Sequence, residues 1–295
     1  MVVSTHNVIR VGFVPEHFSS PLHMAVELGY FEKEGVVVER VCCPSGTGEM
    51  TAKLIDGSLD VAIALTEGLL AGIAKGHDAY KIVGTYVESP LCWAISVGQN
   101  SRHIDRKSLR NGTIGISRIG SGSHIIPYVL ADQEGWLKGT SPADPEYKAP
   151  FEFKPYHDSK EVRLVDVITP PWPAFMIAAS TRHLPITADP THQSVLSRFL
   201  KALTKATQSF VAPENYETSI TFVQEKMSYT RQDVQDWFKG VRYPVEGGCN
   251  QISEEALLHC AKTLVEVGVI QKGQEADVKE RLRTKYVDTN VAQLI

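Results

Sequence analysis

The sequence predicts an α/β fold with two lobes, doubly wound sheets and a helical C-terminal tail. β-branched runs alternate with helical stretches along the first hundred residues, which is the pattern of parallel βαβ units. A chain of 295 residues is long enough for two domains of ordinary size. From Ser194 onward the apolar residues recur at helical spacing instead. Together these observations predict an α/β core followed by helices.

The first predicted strand runs from Val8 to Val14, a β-branched-rich stretch that Pro15 ends. The polar loop from Glu16 to Ser20 comes next. A helix begins at Pro21, where proline suits a first turn, and its apolar face stops at Gly29. Strand, loop and helix in this order form half of a βαβ unit.

The same order recurs twice more. Val36 to Val41 is predicted as a strand, Ser45 to Gly48 as a loop and Glu49 to Ile55 as a short helix. A third strand, Leu59 to Ala64, leads into a helix of small residues that ends near Gly76. Alternation at this spacing predicts a parallel sheet.

A second block of the same kind begins near Gly98. Gly112 to Ser117 is predicted as a strand, and a glycine-containing loop then leads to a helix that starts around His124. Four prolines predict loops and short extended pieces after that helix, namely Pro142, Pro145, Pro150 and Pro155.

Helices are predicted for the last hundred residues. Their apolar faces are Val195, Leu196, Phe199, Leu200, Leu203, Phe210 and Val211 in the first helix, Val234, Trp237 and Phe238 in the second, and Leu257, Leu258, Ala261, Leu264 and Val265 in the third.

Composition argues against several classes of function. The chain has 30 basic and 34 acidic residues, a formal net charge of −4, so general binding to nucleic acid or to a membrane surface is disfavoured. No segment reaches the roughly 18 consecutive apolar residues of a membrane helix. The first residues lack the features of a secretory signal. We therefore expect a cytoplasmic protein, and removal of a leader is the alternative.

Cysteine and histidine spacing predicts neither disulfides nor a metal site. The cysteines are five in number and lack paired spacing, which favours free thiols. The ten histidines include no H-E-x-x-H motif. We expect no metal and no cofactor.

Two sequence segments point to a particular protein family. LGYFEKEG, from Leu28 to Gly35, precedes the strand VVVERV, and LIDGSLDVAIALTEGLLAGIAKG runs from Leu54 to Gly76. They resemble the type II periplasmic-binding-protein superfamily, and within it the branch that binds aliphatic sulfonates, taurine and thiamine pyrimidine precursors. The resemblance is close over residues 8–98 and looser beyond.

The resemblance implies two α/β lobes that close on a small molecule in the cleft between them. Residues 1–97 and 178–295 would form the first lobe, and residues 98–177 the second. For such a chain, a small-molecule ligand is the expected partner, and a permease becomes a partner only for an extracytoplasmic protein.

The strongest candidate site is the loop that opens the predicted helix of the second lobe. Ser121, Gly122, Ser123 and His124 place backbone N–H groups and the positive end of a helix dipole at one point, which suits an anion. Arg118 would add a bidentate donor. The loop matches neither a Walker motif nor a nucleophile elbow. A plain tight turn is the alternative.

A second loop of this type lies in the first lobe, where Gly46 and Thr47 precede a helix. Thr66 and Glu67 follow the third strand, at the carboxyl edge where doubly wound sheets place ligands. For both pairs, simple helix capping is the alternative.

The resemblance also implies that the loop with Glu16, His17 and Phe18 reaches the cleft. An aromatic ring beside a hydrogen-bonding side chain would suit a flat heterocyclic ligand. Three residues that flank the next strand are candidates by the same logic, namely Tyr86, Glu88 and Trp93.

Trp172, between Pro171 and Pro173, lies in a stretch that resembles the return strand to the first lobe. We predict that it forms a cleft wall, and a hinge wedge is the alternative. The sequence departs from the family just before this stretch, because a helix and a strand of the family's second lobe have no counterpart between Ser159 and Lys160. We expect that a segment of the protein is left out of the sequence at this point, and a reduced second lobe is the alternative.

One branch of the superfamily is enzymatic, the pyrimidine precursor synthase of thiamine biosynthesis, which uses pyridoxal phosphate and iron. The lysine and the histidine that its chemistry needs fall here on Ala64 and Gly68. The sequence therefore favours non-enzymatic binding of a small polar or anionic ligand, such as a thiamine-related pyrimidine. The alternatives are such a synthase, a transporter receptor for a sulfonate-type ligand, and an enzyme with His17 and Glu67 or Glu88 as acid and base.

Overall fold

The structure is a computed structural model that describes residues 8–116, 121–136, 162–182, 194–266, 268–270, 282–289 and 291–295. Its strands are β1 (Val8–Phe13), β2 (Val37–Cys42), β3 (Val61–Leu65), β4 (Tyr80–Val87), β5 (Trp93–Gly98), β6 (Val162–Ile168), β7 (Phe175–Ser180), β8 (Gln251–Ile252) and β9 (Gln293–Leu294). Its helices are α1 (Ser20–Glu27), α2 (Tyr30–Lys33), α3 (Thr47–Asp56), α4 (Thr66–Ala74), α5 (Gly122–Gln133), α6 (Val195–Val211), α7 (Tyr216–Lys226), α8 (Arg231–Gly240) and α9 (Glu254–Glu266).

The larger sheet has five strands in the order β2-β1-β3-β7-β4. β1 pairs in parallel with β2 and with β3, so the carboxyl ends of these three strands share one edge. The parallel arrangement predicted from the first three strands is therefore confirmed for them, whereas β7 runs antiparallel to β3 and to β4. The reason is that the return segment starts beside the end of β3, where the Thr66 N–H donates to the Ala174 carbonyl at 3.3 Å. A strand that starts at this edge must run back across the sheet.

The smaller sheet pairs β5 with β6 in antiparallel register. The predicted strand from Gly112 to Ser117 is wrong over its described residues, 112–116, which have no strand pairing. The Gly112 N–H instead donates to the Leu109 carbonyl at 2.9 Å, which is a turn. Residues 112–116 therefore form an irregular segment.

Helices cover both faces of the larger sheet. In β3, Ala62 and Ala64 pack on the layer that contains α3, α4 and α9, whereas Val61 and Ile63 pack on the layer of α1, α2 and α6. This alternation is that of a strand buried on both faces.

The glycine-containing strings form turns that hold these layers in place. Gly29 and Gly57 follow α1 and α3 with φ angles of +70° and +84°, a region that glycine enters without strain. Arg10 of β1 donates three hydrogen bonds to the carboxylate of Asp60, which lies just before β3. The Arg10 donors are the backbone N–H at 2.8 Å, Nε at 2.9 Å and Nη2 at 2.7 Å. The ion pair therefore links β1 to the start of β3.

The predicted C-terminal helices are confirmed as α6, α8 and α9. The hydroxyl of Ser194 caps α6 by accepting a hydrogen bond from the Ser197 N–H at 3.1 Å. Phe199 of α6 stacks on Phe31 of α2 with ring centroids 5.1 Å apart, and burial of one such ring contributes about 1.5–3 kcal/mol. α7 was not predicted, because its apolar face is short.

The predicted lobe boundaries, 1–97 with 178–295 and 98–177, stay a prediction. β7 lies in the larger sheet and β5 in the smaller one. The predicted loops around Pro142, Pro145, Pro150 and Pro155 and the predicted break between Ser159 and Lys160 lie outside the described residues. Among the described helices, none has the length and apolar character needed to cross a membrane.

Candidate functional site

A cavity of about 1040 Å³ lies between α3 and α4 on one side and β5, α5 and residues 112–116 on the other. Two helices begin at its walls, α3 at Thr47 and α5 at Gly122. Much of the remaining lining is apolar, including Trp93, Ile95, Ile114, Ile126, Leu130 and Ile168. The cavity thus combines two helix N-termini with an apolar wall.

The first wall is built on α3 and α4, which are in close contact. The N–H of Leu65, at the end of β3, donates to Oγ1 of Thr47 at 3.1 Å. A β-carbon at Gly68 would lie 2.6 Å from the Thr47 methyl group, so only glycine allows this approach. Gly46 precedes the helix and lines the cavity as well.

The second wall is built on the first turn of α5. Ser121 caps the helix, since its Oγ accepts a hydrogen bond from the His124 N–H at 3.3 Å. The hydroxyls of Ser121 and Ser123 lie 2.9 Å apart, and both residues line the cavity together with Gly122. His124 is buried, and its ring contacts Tyr128 with centroids 5.6 Å apart.

The charge of the lining favours an anion. Among the described lining residues there is no Asp or Glu, and the basic ones are Lys75, His77 and His103. The first N–H groups of a helix have no acceptor within the helix, and the N-terminal end carries partial positive charge. Both helix starts therefore present donors and positive potential to the cavity.

Thr66, Glu67 and Trp172 are brought together behind the cavity wall. Trp172 is 2% exposed, and its Nε1–H donates to Oε2 of Glu67 at 3.1 Å. The Thr66 hydroxyl donates to the carbonyl of Pro173, next to Trp172 in the chain. Burial raises the pKa of Glu67 to about 7. These contacts join the start of α4 to the return segment.

Glu16, His17 and Phe18 lie in a separate aromatic cluster against α8. The His17 ring meets the Trp237 ring edge-on at 4.7 Å, and Phe18 meets Trp237 at 5.6 Å. Burial lowers the pKa of His17 to about 4 and raises that of Glu16 to about 7. Within the described part of the chain, none of the three lines the cavity.

Tyr86 and Glu88 lie at the end of β4. The Tyr86 hydroxyl accepts a hydrogen bond from the Leu22 N–H at 3.2 Å, and its ring contacts Tyr243 at 5.5 Å. The Glu88 N–H donates to the Arg242 carbonyl at 2.8 Å, and burial raises the pKa of the Glu88 carboxyl. Both residues hold the C-terminal segment against the larger sheet.

The structure therefore places the predicted site residues in different parts of the fold. Gly46, Thr47, Ser121, Gly122 and Ser123 line the cavity. His124 lies in the first turn of α5. Behind the cavity wall lie Thr66, Glu67 and Trp172, in the aromatic cluster lie Glu16, His17 and Phe18, and at the end of β4 lie Tyr86 and Glu88. Arg118 lies outside the described residues. Ligand binding by any of them stays a prediction.

Of the apolar wall, the sequence indicated only Trp93, which lines the cavity. The alternation of Trp93, Ile95 and Val97 with smaller residues is typical of a strand with one buried face. This signal predicts β5, but it does not say that the apolar side chains face a cavity rather than a helix.

No group of three or more metal-ligating side chains is found among the described residues. The cavity lining offers hydroxyl and backbone donors, basic side chains, an indole and aliphatic surface. Such an arrangement can hold an anionic group by hydrogen bonds while it covers an apolar body.

Two family models match parts of the chain. The model described as the NMT1-like family matches residues 4–105, and the model described as Ca3427-like PBP matches residues 93–153. No curated protein matches the chain significantly.

Solved structures are similar over nearly the whole chain. The Candida albicans CA3427 gene product, which has the generic periplasmic binding protein fold, is 29% identical, with 98% of each chain covered and a TM-score of 0.83. The alkanesulfonate-binding protein SsuA from Xanthomonas axonopodis pv. citri is 14% identical, with 98% of this chain and 99% of that chain covered and a TM-score of 0.66. The nitrate-binding protein NrtA from Synechocystis is 15% identical, with 96% and 86% covered and a TM-score of 0.65.

Proposed function

Because the chain belongs to the type II periplasmic-binding-protein-like superfamily, we propose that it binds a small anionic ligand in its cavity without transforming it. The observation that carries this proposal is the meeting of two helix N-termini, those of α3 and α5, at one cavity whose described lining has no acidic residue. A thiamine-related pyrimidine or another heterocycle with an anionic group is the ligand class that we favour. Trp93 supplies a flat surface for such a ring.

A local positive potential explains how an acidic protein holds an anion. The net charge of −4 is spread over the whole chain, and charges more than about 8–10 Å away are largely screened at physiological salt. The donors at Gly46 and Thr47 and at Ser121 to Ser123 act at contact distance. Short-range donors therefore outweigh the distant net charge.

Two features favour binding over catalysis. Ala64 is fully buried within β3, and Gly68 lies in the cavity wall, so neither position offers an amine or an imidazole. In the described part of the chain no hydrogen bond joins His17 to Glu67 or Glu88, because His17 packs among aromatic rings. The acid and base pairing considered for an enzyme is therefore not assembled.

A thermal-shift panel tests the proposal. Pyrimidines, their phosphates, sulfonates, nitrate, sulfate and pyridoxal phosphate are added to the protein, and a ligand at 100 times its Kd adds about 2.7 kcal/mol to stability. Mass spectrometry of each hit after incubation separates binding from turnover. A panel without any response would count against an anionic ligand.

Matched serine variants localise the site. Ser121 and Ser194 both cap helices through their hydroxyls, but only Ser121 lines the cavity. Ser121→Ala and Ser194→Ala should each cost about 0.5–2 kcal/mol of stability. Only Ser121→Ala should also weaken the ligand identified by the panel. Equal weakening by both variants would contradict a site at α5.

A further inference from the structure

Glu67 lies in the first turn of α4, and only one of its two carboxyl oxygens accepts a hydrogen bond from a described residue. The residue is 2% exposed, and Oε2 accepts the hydrogen bond from Trp172. Oε1 is buried and has no hydrogen-bond partner among the described residues. An unpartnered buried carboxyl oxygen is uncommon in folded proteins, because it loses its contacts with water and receives none in return.

The unpartnered oxygen faces the N-terminus of α5. A β-carbon at Gly122 would lie 2.9 Å from Oε1 of Glu67 and 2.7 Å from the Trp93 ring. Gly122 and Trp93 both line the cavity. The carboxyl group is therefore separated from the proposed anion site by the backbone of a single glycine.

Few titratable or charged groups face Glu67 from the elements packed around it. From α9 comes Cys260, a buried thiol whose pKa is raised by burial and by Glu67, and His259 reaches the Trp172 ring at 6.5 Å. From α5 comes His124, whose pKa is lowered by burial and by Lys75. No ion pair joins Glu67 to a cation in the described part of the chain. Burial raises the pKa of Glu67 to about 7.

We infer that Glu67 is a positioning residue that makes anion binding at the start of α5 depend on its own proton. As a neutral acid it leaves the N–H groups and the positive end of α5 available to the ligand. As a carboxylate it repels the anion and competes for the same donors. This inference rests on the proposed function, since it concerns the regulation of the same site.

The test is the pH dependence of Kd, measured by calorimetry with butanesulfonate, sulfate and nitrate as probes. Each of these anions keeps its charge between pH 5.5 and pH 8.5, so the ligand does not titrate. If only the neutral acid permits binding, Kd of the wild type rises about 30-fold over this range, because the competent fraction falls above the pKa. Glu67→Gln should give a flat profile at the low-pH affinity.

Two further variants distinguish this role from a structural one. Trp172→Phe removes the donor that stabilises the Glu67 carboxylate, so the midpoint of the Kd profile should move to higher pH. Glu16→Gln removes another buried acid of similar pKa, in the aromatic cluster, and should keep the wild-type pH dependence. A change that appears in Glu16→Gln and not in Glu67→Gln overturns the inference.

The outcomes for the inference and for the proposed function are distinct. Binding that is equally strong at all pH values in the wild type overturns the inference and leaves the proposed function standing. If Kd depends on pH in the same way in the wild type and in Glu67→Gln, the inference is likewise overturned and the proposed function stands. If no probe and no member of the ligand panel binds the wild type at pH 5.5, both fail together.

Discussion

Replacing Glu67 by glutamine should change how the stability of the protein depends on pH, even without a ligand. Burial raises the pKa of Glu67 from 4.5 to about 7. In the unfolded chain the carboxyl ionises near its ordinary value, whereas the folded protein keeps the proton up to about pH 7. Between these values the folded state binds more protons than the unfolded state, so stability falls as the pH rises.

The magnitude follows from the size of the pKa change. Each pH unit corresponds to about 1.4 kcal/mol, so the wild type loses about 3 kcal/mol of stability between pH 4.5 and pH 7 through this group alone. Glu67 is almost fully buried, and solvent screening therefore reduces this value little. Well above pH 7 both states are ionised and the loss is constant. Glutamine has no proton to lose, so the variant lacks this slope.

The measurement is urea unfolding of wild type and Glu67→Gln at half-unit steps from pH 4 to pH 8.5. Other groups, including Glu16, contribute equally to both proteins and cancel in the difference. Between pH 4 and pH 8.5, the free energy of unfolding of the variant should rise by about 3 kcal/mol relative to that of the wild type. This change does not depend on how the two stabilities differ at pH 4. Parallel stability curves would refute the assignment of a neutral buried acid at this position.

Three further predictions concern other parts of the chain. Gly122→Ala should lower the free energy of unfolding by about 1–3 kcal/mol through overpacking, because the new β-carbon would lie within 3 Å of its neighbours. The control Gly115→Ala has open space around the new β-carbon, so its free energy of unfolding should stay within about 1 kcal/mol of the wild type in chemical denaturation. Asp60→Asn should lower the free energy of unfolding by about 1–3 kcal/mol, because it breaks the part-buried ion pair with Arg10. The control Asp236→Asn breaks an exposed ion pair with Lys239 and should lower it by at most about 1 kcal/mol in the same denaturation experiment. His17 contributes stability that is present above pH 6.5 and lost toward pH 4, so its ring proton should titrate by NMR at about pH 4; a midpoint near 6.5 would contradict its burial.

Local patterns predicted most of the first hundred residues. The predicted elements β1, α1, β2, α3, β3 and α4 form within one or two residues of their predicted bounds, because each carries its own signals of β-branched runs, capping and glycine turns. The short helix α2 was not predicted, since four residues are too few to show a helical period. The direction of β7 was not predictable in this way. Its apolar run fits either orientation, and only the point where the chain returns, beside Thr66, decides that it runs antiparallel.

In the candidate site, too, local features were predictable from the sequence and long-range contacts were not. Helix N-termini were predicted at Glu49 and around His124 from local glycine and hydroxyl patterns, and the observed helices begin two residues earlier, at Thr47 and Gly122, in the wall of one cavity. The loop with His17 has a similar local appearance, yet it packs against Trp237 of α8. That contact joins residues more than two hundred positions apart, and a single sequence contains no local signal for it.

The two experiments on Glu67 constrain each other. The stability difference reports the pKa of this group in the folded, ligand-free protein. The Kd profile depends on the same ligand-free pKa, because binding starts from that state. If the inference holds, the upper end of the stability slope and the onset of weaker binding must fall at one pH, about 7. Coincidence of two independent measurements would identify one proton at Glu67 as the link between folding and binding, whereas separate midpoints would show that another group controls the ligand.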